Sequence, residues 1–302
     1  MPLTHVRTFR VRYYECDAYE RLRHSNYARY MQEAAFDASA AAGYDLSRYA
    51  AMERYWLVRE TDIEYLRPVR YGDALQVKTW VDDFRRVRSR RMYEFRMAGS
   101  GELVARAYSD WAFLHNATGR PAIIPPEMAA AFFPEGAPAR PRSHFPAPPS
   151  PPAHVLRLAR HVEWQDIDAA QHVNNAMYLD YVEDCAMRAR ATYGWPLARL
   201  QAEGAAITIR RHQIEYRQPA LLDDDLELAS WLSSIGPTSA VRHCTIRRLG
   251  DDQLLAQAHT LWEWIDVNTR QSAPIPDAFL KDLAPNMTSD PDPWPSSHAG
   301  AA

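Results

Sequence analysis

The chain has 302 residues, 47% of them hydrophobic and 24% charged, with a formal net charge of −3. That length fits one large domain or two of about 150 residues, and the near-neutral balance gives no global field for a nucleic-acid partner. No run of 18 apolar residues is present to span a membrane, and "MPLTHVRTFRVRYY" lacks the apolar centre of a signal peptide, so the expectation is a soluble, cytoplasmic protein. Cys16, Cys185 and Cys244 are scattered without a CxxC pair. They suggest neither a disulfide framework nor a metal site.

In chain order, alternation predicts a strand near 6–14, then the polar segment "CDAYERLRHSN", then one helix near 26–43. Tyr27, Tyr30, Met31, Ala34 and Ala38 supply that helix's apolar stripe, and Gly43 fits its end. Strands follow near 55–67, 74–84, 88–98 and 103–115. The run "FFPEGAPARPRSHFPAPPSPPAH", with eight prolines between Pro134 and Pro152, reads as an extended connector. The same layout then recurs: a strand near 155–164, the segment "QDIDAAQHVNN", and a helix near 175–194 carrying Tyr178, Tyr181, Val182, Cys185 and Ala189, with Gly194 at its end. Strands near 205–217, 225–235, 239–249 and 253–266 complete the second set. In the last of these, Ala256, Ala258, Thr260, Trp262 and Trp264 share one face. The final stretch from 285 to 302 reads as a disordered tail.

The two sets are copies. A shift of 151 residues places Val11 on Val162, Asp17 on Asp168, Tyr27 on Tyr178, Gly43 on Gly194, Trp80 on Trp231, Trp111 on Trp262 and Pro125 on Pro276, without a net gap. Two copies at so long a period indicate duplicated domains, not a solenoid. The expected boundaries are 1–133, a linker over 134–154, and 155–284. One helix followed by four strands excludes a βαβ sheet and predicts an α+β fold with an antiparallel sheet in each half.

The polar segments carry the chemistry. A carboxylate such as Asp168 can activate water or attack an acyl carbonyl, and the helix start around 174–177 offers backbone N–H groups to an oxyanion. His172 is placed to orient the water or the carboxylate, and Asn174 and Asn175 to hold the substrate carbonyl. On the helix, Asp184 flanks the apolar stripe whereas Glu183 points roughly opposite it. Asp184 is therefore the expected second carboxylate, with Glu33 as its counterpart. The competing reading is structural, since Asn and Asp ahead of a helix commonly act as caps. Signatures of nucleotide, serine-hydrolase and zinc-protease chemistry are missing. The basic run "FRRVRSRR" (Phe84 to Arg91) reads either as a solvated hairpin or as a contact for CoA phosphates or an acidic carrier.

"DIDAAQHVNNAMYLDYVED" resembles the hot-dog thioesterase motif, and its "QHVNN" form is similar to acyl-ACP thioesterases with two fused hot-dog domains. "CDAYERLRHSNYARYMQEA" resembles the related form in 4-hydroxybenzoyl-CoA thioesterase-like proteins, with His24 seven residues after Asp17. "RPVRYGDALQV" and "WAFLHNATGRPAIIP" extend the likeness, which covers roughly 5–130 and 155–280. The resemblance implies two tandem hot-dog domains, each an antiparallel sheet wrapped around a central helix, packed as a pseudo-dimeric double hot dog. It gives the catalytic positions to Asp168 and His172, with Asn175, and to Asp17 and His24 in the first copy. Asn174, Asn26, Tyr27, Tyr178, Glu33 and Asp184 are then the expected substrate-binding residues. The plant enzymes carry Asn where this chain has Ala170, and the first copy has Arg21-Leu22-Arg23 in place of H-V-N.

The implied activity is hydrolysis of a fatty acyl-ACP or acyl-CoA to the free acid, without metal or cofactor. The expected partners are the acyl-CoA or acyl carrier protein thioester, with no nucleic acid and no membrane span, and pairing of two double hot dogs as a homodimer. The alternative is a non-hydrolytic acyl-binding protein on the same fold. The trimer "HFP" at 144–146 resembles a dehydratase motif but lies in the linker, so a dehydratase ranks below both.

Overall fold

The computed structural model describes residues 2–136 and 144–290. The chain divides between Ser143 and His144 into two compact units. In the first unit, β1 (Thr4–Arg10) precedes the long helix α1 (His24–Ala41) and the short α2 (Leu46–Ala51). Strands β2 (Arg54–Tyr65), β3 (Ala74–Arg85), β4 (Arg88–Met97) and β5 (Leu103–His115) follow, and α3 (Pro126–Phe132) closes the unit. The sheet runs β1-β3-β4-β5-β2 with every neighbouring pair antiparallel. Leu75, Val77, Tyr93 and Phe95 are buried with Tyr27, Tyr30, Met31, Ala34 and Ala38 of α1. Period-two burial on the strands thus meets a helical stripe, which is what fixes the register.

The second unit repeats the plan with β6 (Leu156–His161), α4 (Met177–Thr192), α5 (Leu197–Ala202), β7 (Ala205–Tyr216), β8 (Asp225–Ser233), β9 (Ser239–Arg248), β10 (Leu254–Asp266) and α6 (Asp277–Leu283). Its sheet order, β6-β8-β9-β10-β7, is the first order copied position for position. Gly43 and Gly194 both stop the long helices at φ +81°, a backbone region that a side chain would strain. Behind each glycine an arginine donates to the glycine carbonyl, Arg48 at 2.7 Å and Arg199 at 3.0 Å. Among the described residues, no helix is long and apolar enough to cross a membrane.

Four short helices depart from the one-helix plan. The Asp45 carboxylate accepts from the Arg48 N–H at 2.8 Å to start α2, and Pro126 opens α3 where its missing N–H costs nothing. The first strands are also shorter than alternation suggests. The chain turns out of β1 through a single 3-10 turn, Tyr13–Glu15, because the Glu15 carboxylate accepts the Arg12 N–H at 2.7 Å. Asp166 does the same for Glu163 at 3.0 Å.

The tail differs from expectation too. Ala284–Asn286 forms a 3-10 turn, Asn286 is buried and accepts the Leu156 N–H at 3.2 Å, and the Thr288 N–H reaches the Leu232 carbonyl at 2.9 Å. Order therefore continues past 285, and residues 291–302 lie outside the described residues. Linker residues 137–143 lie outside them as well. The end of the linker is fixed onto the second unit: Phe145 stacks on the His259 ring and the Pro146 carbonyl takes the His259 Nε2–H at 2.9 Å. A carbonyl only accepts, so neutral His259 accepts at Nδ1 a hydrogen bond from the His243 Nδ1–H at 2.8 Å, and His243 Nε2 accepts the Ser233 hydroxyl at 2.6 Å.

The basic hairpin is not one solvated patch. Arg90 forms a two-pronged pair with Asp110 at 2.7 and 2.8 Å, and Arg91 is buried, which leaves Arg85, Arg86 and Arg88 outside. Strand alternation, invisible in a run of identical charges, sorts them.

At the edge of the second sheet His161 meets Asp225 at 2.9 Å, and this hydrogen bond raises the imidazole pKa from 6.5. A raised value means that the pair's contribution is complete below the ordinary imidazole range and fades as pH rises through the raised value. In a proton NMR titration His161 should therefore titrate late, and Asp225→Asn should return it toward the ordinary midpoint.

Candidate active site

Both polar segments share one backbone scaffold. Isolated bridges pinch them at Cys16–Leu22 and Ile167–Val173, and Leu22 and Val173 donate to the equivalent carbonyls of Val69 and Ala220. At the tip of each, Glu20 and Gln171 sit at φ +60° and +64°. Such left-handed non-glycine residues cost of order 1–3 kcal/mol and persist only where the surroundings hold them.

On this common frame the side chains differ. In the second unit Asp168 is half-buried, with Oδ1 accepting the Ala170 N–H at 2.9 Å and Oδ2 accepting from Asn174 Nδ2 at 3.0 Å. Both partners are neutral, and among the described residues no cation pairs with it. In the first unit Asp17 accepts the Tyr19 and Arg21 N–H groups at 2.8 and 2.9 Å and also faces the Arg21 guanidinium at 3.5 Å. Arg21 stands where the second copy has His172.

His172 is half-buried and its Nδ1 meets the Val173 carbonyl at 3.1 Å. Since the carbonyl only accepts, the proton of the neutral ring is on Nδ1 and the lone pair is on Nε2. Asn174 is a scaffold residue, bracing Asp168 and accepting the Ala176 N–H at 2.9 Å.

The helix start offers fewer donors than expected. The N–H groups of Asn174, Ala176 and Met177 go to Asp166 O, Asn174 Oδ1 and Asn174 O. Asn175 keeps its own N–H and its carboxamide without hydrogen bonds among the described residues, while its carbonyl takes the Tyr216 hydroxyl at 3.0 Å. Those two donors sit at one residue, anchored by Tyr216. His24, the first residue of α1, occupies the equivalent position and packs edge-on against Tyr65.

Several expected substrate-binding residues are placed elsewhere. Tyr27 and Tyr178 are core side chains, both 3% exposed. Tyr178 takes the Ala220 N–H at 3.0 Å, and burial pushes its hydroxyl up to about 12. Asn26 is 4% exposed, donates to the Glu15 carbonyl at 2.8 Å and accepts from Arg29 at 2.7 Å. It locks the 3-10 turn to α1, so Asn26→Ala should lower stability by about 1–3 kcal/mol. A denaturant titration would show this as a lower midpoint with unchanged slope.

The helix carboxylates correct the expectation most clearly. Glu33 pairs with Arg7 at 3.0 Å and Asp184 with Arg160 at 3.4 Å, both largely exposed. Glu183 instead turns to buried His212 on β7 at 3.5 Å, and His212 Nδ1 meets the Thr260 hydroxyl at 2.9 Å. An apolar stripe predicts one buried face, whereas a helix with a sheet curved around it is covered on its flanks too. That covered flank could have been suspected from His212 and Thr260, polar residues standing in two predicted strands.

The comparisons agree with this layout. Residues 2–132 match the model of the acyl-ACP thioesterase N-terminal domain, and residues 162–283 match that of the thioesterase-like superfamily. Each half of the chain is thus matched by a thioesterase family model. The family model changes between the halves, as the two polar loops do. A chloroplastic palmitoyl-acyl carrier protein thioesterase of Gossypium hirsutum is 26% identical over 86% of this chain, which spans 64% of that protein's length. The fold of this chain is also that of a Lactobacillus plantarum structure described as an oleoyl thioesterase, with TM-score 0.76, 21% identity and coverage of 91% of this chain and 98% of that one. A second structure, an acyl-ACP thioesterase from Bacteroides thetaiotaomicron, gives TM-score 0.67 at 18% identity, over 86% of this chain and 98% of that one. Both matches extend over the two units described here.

Proposed function

We propose that this chain hydrolyses fatty acyl thioesters, with acyl carrier protein as the thiol carrier, and that the second loop does the chemistry. The single observation that carries the assignment is the contrast between the two carboxylates: Asp168 is braced by neutral donors alone, whereas Asp17 also faces Arg21. The carrier is inferred from the relatives, whose names specify acyl-ACP substrates.

The groups suit a water-based mechanism. The Asp168 carboxylate and the His172 Nε2 lone pair are both acceptors, which together match the two O–H bonds of one water. Its oxygen lone pair is then directed at the thioester carbonyl. As the C–O bond forms, Asp168 takes the proton, and the carbonyl oxygen gains charge against the Asn175 N–H and carboxamide. Collapse breaks the C–S bond, and the proton passes from Asp168 to the leaving thiolate.

The test is a panel of acyl-ACP and acyl-CoA thioesters of graded chain length, with thiol release as readout. Turnover of acyl-ACP above acyl-CoA is the expected result. Preference for CoA would reassign the carrier. Acyl thioester that binds and stays intact would replace hydrolysis with the acyl-binding alternative.

A further inference from the structure

The basic hairpin has no part in the hydrolytic site, yet the fold gathers further cations around it. Because neighbouring strands run antiparallel, β3 ends at Arg85, β4 starts at Arg88, β5 ends at His115 and β2 starts at Arg54, all at one end of the first sheet. The segment after β5 runs along the same end. The His115 N–H donates to the Arg120 carbonyl at 3.0 Å, and the Ile124 N–H donates to the Arg86 carbonyl at 2.8 Å. Strand ends at a spacing of about 4.8 Å make this rim about 15 Å wide. Arg86, Arg88 and Arg120 are exposed, and among the described residues no acid pairs with any of them. Beside them Arg85 faces Asp83 at 3.4 Å, and Arg54 donates to the Met52 and Glu53 carbonyls at 3.2 and 2.9 Å.

The second copy shows what the fold itself requires at this end. At the 151-residue offset, Arg54, Arg85, Arg86, Arg88 and Arg120 become Ala205, Gly236, Pro237, Ser239 and Gln271. His115 becomes Asp266, and Arg270 stands at the place of Gly119. The equivalent strands β8 and β9 still pair, so closing the hairpin needs no arginine. In the first unit Arg85 and Arg88 face each other as a cross-strand pair, an arrangement that is destabilising for like charges. A local rule broken without a structural gain is expected where a surface serves function.

The charges also select the partner. The chain carries a formal net charge of −3, so an acidic protein is repelled by the molecule as a whole and drawn only to a local cationic end. Carboxylates three and four residues apart on a helix lie about 5–6 Å apart on one face. About ten residues of such a helix cover the width of the rim. Each guanidinium can meet a carboxylate through two parallel N–H···O bonds. We propose that this end of the first unit docks an acidic helix of the acyl carrier protein, with Arg86, Arg88 and Arg120 as the contacts. The inference rests on the carrier reading above and adds to it the face that receives the carrier.

The test measures binding of holo-acyl carrier protein, without an acyl group, to the full chain by titration calorimetry, so that hydrolysis plays no part. Arg86→Glu, Arg88→Glu and Arg120→Glu together, with folding checked by circular dichroism, should weaken Kd by about tenfold or more. Added salt should weaken binding to the parent chain more than to this variant. Ser239→Glu, Arg270→Glu and Gln271→Glu, at the equivalent end of the second unit, should leave Kd within about twofold. Carrier bound equally well by the folded arginine variant overturns the docking surface and leaves the carrier reading standing. Equal losses in the two sets also overturn it, because net charge alone then explains the effect. A parent chain that binds CoA but no carrier, with CoA binding lost in the arginine variant, overturns both and reassigns the arginines to the CoA phosphates.

Discussion

Asp168→Ala should lower turnover of an acyl-ACP thioester by on the order of 10²–10⁴-fold, the range expected when a general base is removed, while Asp17→Ala leaves turnover nearly unchanged. The asymmetry follows from the neighbours and not from the aspartates, which occupy equivalent positions. Asp168 has a water-facing role open to it because its two hydrogen-bond partners are neutral, and Asn174 fixes the carboxylate without drawing off its charge. Asp17 faces the Arg21 guanidinium within its own loop. The loss in Asp168→Ala belongs in kcat, since the carboxylate acts on the water and not on the bound acyl chain. Asn174→Ala should give a smaller drop, because it frees Oδ2 from its brace without removing the base. Single-turnover rates, with circular dichroism to confirm folding, measure all three. Full activity in Asp168→Ala together with loss in Asp17→Ala would reverse the assignment of the loops.

Most of the architecture is legible in the residues because one copy checks the other. Apart from the shorter first strands and the four short helices, the strands and the long helix of each half follow the alternation and the 3.6-residue stripe, and Gly43 and Gly194 end their helices as their equal positions imply. What could not be read depends on side chains meeting across elements. The inward turn of Glu183 required knowing that the sheet wraps the flanks of α4. The commitment of Asn26 to the Glu15 carbonyl required the 3-10 turn, which alternation had absorbed into a strand. The donor count at the start of α4 was likewise hidden. A helix N-terminus suggests several N–H groups, but the capping role of Asn174 consumes them and leaves Asn175.

The largest expected effect on stability is at Trp195, where the copies differ instructively. The first copy has Tyr44 there, packed against Tyr49 and Phe132, with Arg48 over its ring at 3.9 Å. In the second, Trp195 is 0% exposed and lies edge-on to Trp264 and Phe279 at 5.9 and 5.2 Å. Arg199 covers its face at 3.6 Å, and its Nε1–H reaches Asp282 at 3.0 Å. Trp195→Ala should therefore destabilise the second unit by about 3–5 kcal/mol, which lowers its thermal midpoint by roughly 2–4 °C for each kcal/mol in a domain of this size. Trp195→Phe separates the contributions: it keeps most of the ring burial and drops only the hydrogen bond to Asp282, worth about 1–3 kcal/mol with a charged acceptor. Calorimetry on the full chain reads both variants. A cost in Trp195→Phe close to that of Trp195→Ala would place the dominant contribution in the Asp282 hydrogen bond. A much smaller one would place it in the aromatic packing that joins α6 to the end of α4, which is the expected outcome because the ring is enclosed on every side.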